Sequence, residues 1–349
     1  MQLLATPTLA RHPLPMPPRL VPPPVPQLSR PRARASLPAP GPAATDRIDS
    51  RILSVLRRDG RISHMKLAEA VHLSPSAVTE RVKRLSREGL ILGYEARLNQ
   101  SKLGMGVMVF VEVQLDQTQA EVMQRFKDAV QDCPEVLECH LIAGVFDYLV
   151  KVLVTDLDDY EQRVAARIRE LPGVRSTRTS AVLEQKDTAP EPRGSRKTGV
   201  DDIDAALLRL LQNDGRISNA RLAEEVGLTP AAVHERVARL KCRRFILDVV
   251  AVVDEERLHR GMQVFAEVQL SGEGRDLRAS LRARLQACDE VLEFHEVDGQ
   301  FDFLVKTRVQ DLGQYRDLVT REIWSQPGVR GVRSYAVIDE VKRTSRIPI

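Results

Sequence analysis

Two segments carry side chains suited to chemistry with another molecule. At 74–87 the sequence S-P-S-A-V-T-E-R-V-K-R-L-S-R opens on a serine–proline pair, and T-P-A-A-V-H-E-R-V-A-R-L-K-C at 229–242 repeats the plan. Ser or Thr before Pro marks a helix start, because the hydroxyl caps an unpaired N–H and proline suits the first turn. With Val78, Val82 and Leu85 turned inward, Ser76, Thr79, Glu80 and Lys83 turn outward. Hydroxyls and an ammonium can meet base edges, and a glutamate can accept from the cytosine amino group. Arg81, Arg84 and Arg87 are placed to neutralise phosphates, and Arg236 and Arg239 to do so in the second segment. The competing reading is a charged helix face that is only solvated.

Other chemistry is hard to find. The chain has no G-x-S-x-G, no phosphate loop and no metal-ligand spacing, so neither a catalytic centre, a metal nor a cofactor is expected. His140 and His295 stand at matching positions beside Glu138 and Glu293 and read as polar sheet residues. Cys133, Cys139, Cys242 and Cys288 form no C-x-x-C pair and read as reduced, mostly buried thiols of a cytosolic protein. No apolar run reaches the ~18 residues of a membrane helix, and no secretory signal opens the chain. A cytoplasmic location without a membrane partner follows as an expectation.

The supporting elements come in duplicate. Ile62 of D-G-R-I-S recurs as Ile217, Phe146-Asp147 as Phe301-Asp302, and Pro172-Gly173-Val174 as Pro327-Gly328-Val329, always at an offset of 155. The helical periodicity that opens each copy predicts three helices with a tight turn, a helix-turn-helix pattern. Asp46 is the expected first cap, and Gly89 suits a left-handed C-terminal cap. Strand, helix, strand, strand, helix, strand follows, with Val107, Val109, Val111 and Val113 on one face of the first strand. That order is a ferredoxin-like split βαβ. Its strands are apolar on both faces, and two helices cover only one, so the open face calls for a second sheet. Residues 1–44 hold thirteen prolines, five arginines and no acid, which predicts an extended tail, either a dispensable leader or a basic arm. Residues 187–199 read as a polar linker.

Beyond these patterns, the chain resembles the leucine-responsive and asparagine-responsive (Lrp/AsnC) family. The resemblance rests on D-G-R-I-S at 59–63, L-S-P-S-A-V-T-E-R-V-K-R-L at 73–85, E-C-H-L-I-A-G-V-F-D-Y-L-V-K at 138–151 and L-P-G-V-R-S-T-R-T at 171–179, all repeated in the second copy. It implies an α+β chain of two tandem modules, each a winged helix-turn-helix domain followed by a ferredoxin-like βαββαβ effector and dimerisation domain. The corresponding boundaries are 45–95 and 96–186, then 200–250 and 251–349. It further implies a transcription regulator of amino-acid metabolism whose partners are double-stranded DNA and a small effector, an amino acid, held near the hairpin and last strand. There Asp147 and Asp302 would accept from an ammonium, and backbone N–H groups around Gly144 and Gly299 would face a carboxylate; the equal alternative is strand-end hydrogen bonds for the aspartates and ordinary hairpin turns for the glycines. Thr179-Ser180 and Ser334-Tyr335 would complete two unlike pockets. Self-association through the αβ domains follows as well, within one chain or between chains. The alternative on the same fold is a siroheme-decarboxylase-like tetrapyrrole enzyme.

The copies are not equivalent. Residues 46–95 hold ten Lys and Arg against seven Asp and Glu, a net +3, whereas 201–250 hold eight against eight. His234 stands for Thr79, Ala238 for Lys83, and Arg244 for the cap glycine, at a cost of about 1 kcal/mol if left-handed. The second reader is expected to bind more weakly or to prefer another sequence.

Overall fold

A computed structural model describes residues 45–183, 199–258, 261–272 and 274–349. The basic tail, the linker up to residue 198 and the His259-Arg260 pair lie outside the described residues. In the first copy, α1 (Arg47–Leu56), α2 (His64–Val71) and α3 (Pro75–Arg87) form the helix-turn-helix. Each helix is started by its sequence. Asp46 and Asp49 form a reciprocal capping box on α1, and the Ser63 and Ser74 hydroxyls accept from backbone N–H groups of α2 and α3. Gly89 takes φ +70° at the end of α3, and its counterpart Arg244 takes φ +61°, the strained conformation expected of it.

After each helix-turn-helix comes a wing strand, β1 (Ile91–Leu98) in the first copy and β6 (Ile246–Val253) in the second. The sequence reading missed their partners. The two wings pair with each other, antiparallel, with Glu95 opposite Val250 and Ala96 opposite Val249. Two glycines seat the helical units on this ribbon. Gly60 N donates to Val249 O at 2.6 Å, and Gly215 N donates to Tyr94 O at 2.7 Å. A Cβ on Gly60 would come within 2.9 Å of the Val250 carbonyl carbon, and one on Gly215 within 2.8 Å of the Glu95 carbonyl carbon, so only glycine fits. Arg61 donates to the Gly215 carbonyl, and Arg216 donates to the Gly60 carbonyl while stacking 3.5 Å over the Tyr94 ring. The two helix-turn-helix units are thus cross-braced.

The rest of the first copy is β2 (Val107–Leu115), α4 (Ala120–Gln131), β3 (Val136–Ala143), β4 (Tyr148–Val154), a helix α5 over 157–169 and β5 (Val174–Val182). The second copy repeats it: α6 (Asp202–Asn213), α7 (Asn219–Val226), α8 (Pro230–Cys242), then β7 (Met262–Leu270), α9 (Arg275–Gln286), β8 (Val291–Asp298), β9 (Phe303–Val309), α10 over 312–324 and β10 (Val329–Arg343). Within a copy the strand order is β3-β4-β2-β5, the ferredoxin-like arrangement. Between copies, β5 meets β8 and β10 meets β3, so eight strands close into one barrel. The second sheet required by the open apolar face is therefore the chain's own. Phe110, Ile142, Phe146 and Leu149 pack there against Phe265, Phe301, Leu304 and Tyr335.

The closure is lopsided among the described residues. Strand β5 touches β8 at Ala181 opposite Asp298 and Val182 opposite Val297. Strand β10 runs on from Ala336 opposite Ala143 to Arg343 opposite Glu138. The chain then passes Leu137 and ends on the second helix-turn-helix, where the Gln212 side chain exchanges hydrogen bonds with both Ile347 N (2.6 Å) and Ile347 O (3.1 Å). Leu137 and Leu153 of the first sheet share an apolar cluster with Leu207, Leu211 and Ile347. No helix among the described residues is long and apolar enough to cross a membrane.

Candidate nucleic-acid interface and intersheet sites

Helix α3 buries Val78, Val82 and Leu85 and leaves Ser76, Glu80, Lys83 and Arg87 exposed. Glu80 and Lys83 form an exposed ion pair of 3.3 Å, weak enough to break for a stronger partner. Two of the expected phosphate ligands are engaged elsewhere. Arg81 reaches back to Asp46 (2.6 Å) and Asp49 (2.8 Å), and Arg84 to Asp49 (2.5 Å). Asp49 is fully buried, so its charge requires these guanidiniums, and they clamp α3 onto α1. Arg236 and Arg239 make the same contacts to Asp201 and Asp204, with Asp204 buried. Arg81, Arg84, Arg236 and Arg239, expected at phosphates, are thus held in framework ion pairs here, with part of each guanidinium-bearing side chain still exposed. The Asp46 carboxyl is held below its ordinary value by the Asp49 N–H and by Arg81.

Thr79 is also engaged. Its hydroxyl donates to the Pro75 carbonyl at 2.8 Å and meets His64 Nδ1 at 2.8 Å. In the second unit His234 is exposed and meets the Asn219 amide nitrogen at 3.2 Å.

The expected effector residues divide between two faces of the barrel wall. Ser180 and Tyr335 face the other sheet and are buried. Thr179 and Ser334 point the opposite way, because strand side chains alternate: their hydroxyls bond Tyr160 (2.7 Å) and Tyr315 (2.6 Å) under the outer helices. Thr179 and Ser334 therefore do not join Ser180 and Tyr335 in one pocket. Asp147 Oδ2 accepts from Leu115 N (2.8 Å), and Asp302 Oδ2 from Leu270 N (2.7 Å), the strand-end role. Asp302 Oδ1 takes Arg278 at 2.5 Å besides, so both oxygens of that carboxylate already have a partner. At the hairpins the copies differ. A Cβ on Gly144 would strike the Tyr335 ring at 2.6 Å, whereas one on Gly299 would sit 3.6 Å from the Ser180 hydroxyl. Tyr335 meets the Phe146 ring at a tilt of 55° and donates to Glu267 at 3.0 Å, so a phenol closes the first corner.

The sequence placed His140 and His295 beside Glu138 and Glu293 as polar sheet residues but passed over the lysines that join them in the barrel interior. Lys151 lies 2.5 Å from Glu293 and 3.4 Å from Glu138, and Lys306 lies 2.6 Å from Glu138 and 3.1 Å from Glu293. His140 bonds Glu138 at 2.8 Å, and His295 bonds Glu293 at 3.0 Å. Burial alone would raise both glutamates. The histidine bonds and the two ammoniums outweigh it and hold Glu138 and Glu293 far below the usual carboxylate range. A second set joins Arg178 to Glu112 (2.5 Å) and Arg333 to Glu267 (3.4 Å). Burial raises Glu112 against the pull of Arg178, and it raises Glu267 with help from the Glu112 charge. One signal was available: a lysine after three apolar residues in both Y-L-V-K-V-L-V and F-L-V-K-T-R-V, at the 155 offset.

Among the described residues, no group of three or more His, Cys, Asp or Glu is placed to hold a metal. Cys133 and Cys139 are buried free thiols, but Cys242 is exposed, contrary to expectation.

Comparison with known proteins agrees with this architecture. An AsnC-type helix-turn-helix domain matches residues 46–86 and 200–241, and the Lrp/AsnC ligand binding domain matches 108–191 and 263–347. The leucine-responsive regulatory proteins of Escherichia coli (strain K12) and Klebsiella pneumoniae are each 46% identical over 140 residues, 40% of this chain and 85% of theirs. Among solved structures, the siroheme decarboxylase NirDL superposes with a TM-score of 0.58 over 85% of this chain and 93% of its own. At 12% identity that likeness is one of fold alone. The helix-turn-helix and the ligand-binding sheet each recur in order, and together they cover most of the sequence: the chain belongs to the Lrp/AsnC family of regulators, with two modules in one polypeptide.

Proposed function

We propose that this chain is a DNA-binding transcription regulator that responds to an amino acid and acts as a pseudo-dimer, with two unlike readers held by one barrel. The observation that carries the reading is the wing ribbon. By pairing β1 with β6 and crossing Arg61 and Arg216 between the units, it fixes the distance between α3 and α8. Two recognition helices at a set separation suit two half-sites on one face of a duplex. Ser76, Glu80 and Lys83 are the base-facing candidates of the first reader, and Arg87 the phosphate-facing one. The first reader carries most of the affinity, given its net +3 against zero. Amino-acid sensing belongs to the barrel, near the hairpins, with Gly144, Asp147, Gly299, Asp302, Ser180 and Tyr335 as the residues to change first.

Titration of the full chain against an operator-bearing duplex at several salt concentrations tests the DNA half. Changing Arg87 to Ala should flatten the plot of log K against log salt by about one unit for the phosphate left without its cation. An unchanged slope would remove α3 from the interface. Calorimetry against the twenty amino acids tests the effector half, and no binding would refute it. An absorption spectrum with added tetrapyrrole separates the enzyme reading, which requires a bound chromophore.

A further inference from the structure

In both readers the first residue of the helix before the recognition helix touches the fifth residue of the recognition helix, and an imidazole Nδ1 makes the bond. In the first reader this is His64 Nδ1 with Thr79 Oγ1, at 2.8 Å. In the second it is His234 Nδ1 with Asn219 Nδ2, at 3.2 Å. The histidine has changed sides of the pair, from α2 to α8. The consequence lies in its protons.

A hydroxyl has one proton to give. Thr79 gives its proton to the Pro75 carbonyl, which can only accept, so towards His64 the Thr79 oxygen is an acceptor. His64 Nδ1 therefore carries the hydrogen, and in the neutral ring Nε2 presents a lone pair. In the second reader the logic reverses. An amide nitrogen can only donate, so Asn219 gives its proton and His234 Nδ1 presents the lone pair. The remaining proton of the neutral His234 ring sits on Nε2. One module offers an acceptor at this junction and the other offers a donor.

The junction stands where the reading of a duplex takes place: His64 is partly exposed, His234 is exposed, and both flank the N-terminal half of a recognition helix. Major-groove edges differ in this property. Adenine and cytosine present amino hydrogens, whereas guanine presents N7 and O6 and thymine presents O4. We infer that His64 and His234 are specificity-determining residues of opposite polarity. His64 Nε2 accepts from the amino group of an adenine or cytosine, and His234 Nε2–H donates to a guanine or thymine. The operator is then a pair of unlike half-sites, differing at the base that faces the imidazole. This inference rests on the DNA-binding reading above and deepens it.

Selection from random duplexes by the full chain at pH 8 is the experiment, with the wild type and two exchange variants. One is His64→Asn with Thr79→His, which gives the first reader the second reader's pair. The other is Asn219→His with His234→Thr. The wild type should enrich a motif whose half-sites differ at one corresponding base, amino-bearing in one and keto-bearing in the other. Each exchange should make the half-sites alike at that base. Loss of the ring in His234→Ala should erode the preference for the selected base by about tenfold. Identical wild-type half-sites, or exchange variants that keep the wild-type motif, would overturn the inference. So would uniform weakening on all sequences by His234→Ala, the mark of a phosphate contact. Should an exchange variant fail to fold, the wild-type motif alone still decides. Failure to enrich any motif would instead strike the DNA-binding reading itself.

Discussion

Where the two modules face each other, they have kept the same residues: Glu138, His140 and Lys151 meet Glu293, His295 and Lys306 in the barrel interior. At the hairpin corners and on the recognition helices they have parted. Tyr335 stands for Ser180, and His234 for Thr79. The contrast has a physical cause. Each buried ammonium is shared between the two modules, so a change in one leaves a charge unmatched in the other. A residue facing a ligand or a duplex carries no such obligation to its copy.

The largest effect should come from the shared charges. Glu138→Gln leaves Lys306 and Lys151 short of a carboxylate in the interior and should cost about 3–5 kcal/mol in chemical denaturation. Glu293→Gln should cost the same, and a markedly unequal pair would break the equivalence. Acid acts on the same groups. Both carboxyls are held below their ordinary value of 4.5, so their contribution is complete above that pH and is lost as pH falls through the depressed values. The wild type should lose stability below about pH 4.5 more steeply than Glu138→Gln does.

Next in size, Tyr335→Ser should cost about 3 kcal/mol through the cavity it leaves against Gly144 and Phe146. Ser180→Ala at the counterpart corner should change stability by less than about 1 kcal/mol. Equal losses would mean that both corners are closed. Smallest is the cap. Arg244→Gly should raise stability by about 1 kcal/mol by relieving a left-handed side chain, and Gly89→Arg should lower it by a similar amount. A thermal shift of a few degrees in opposite directions reads both.

The legible parts of this molecule are those set by short stretches of chain. Asp46, Ser74-Pro75 and Gly89 mark helix ends through groups within four residues, and the valines of β2 mark a strand by alternation. The ion pairs of Arg81 and Arg84 went unseen because their partner Asp49 lies more than thirty residues away, on another helix. From the sequence they differ from Arg87 only by a turn of the helix. Thr179 and Ser334 were grouped with their neighbours although the strand period separates them, so that error was avoidable. For Asp147 the sequence left a strand-end hydrogen bond and a ligand contact open equally, because the N–H it serves, Leu115, belongs to a neighbouring strand. The wing ribbon joins segments some 155 residues apart, and nothing local announces it.

Finally, the ring of strands has a bearing on which molecules exist in a cell. With β10 seated on β3 and β5 on β8, each copy's sheet edge meets the other copy of the same chain. A regulator assembled from separate chains exchanges subunits with any relative expressed beside it, and its composition follows their concentrations. Here each molecule is born with one reader of each kind, and the ratio stays one to one however much or little is made. Dilution cannot split the pair, because one chain holds both modules. One continuous chain fixes the composition that two separate subunits would have to reach by meeting.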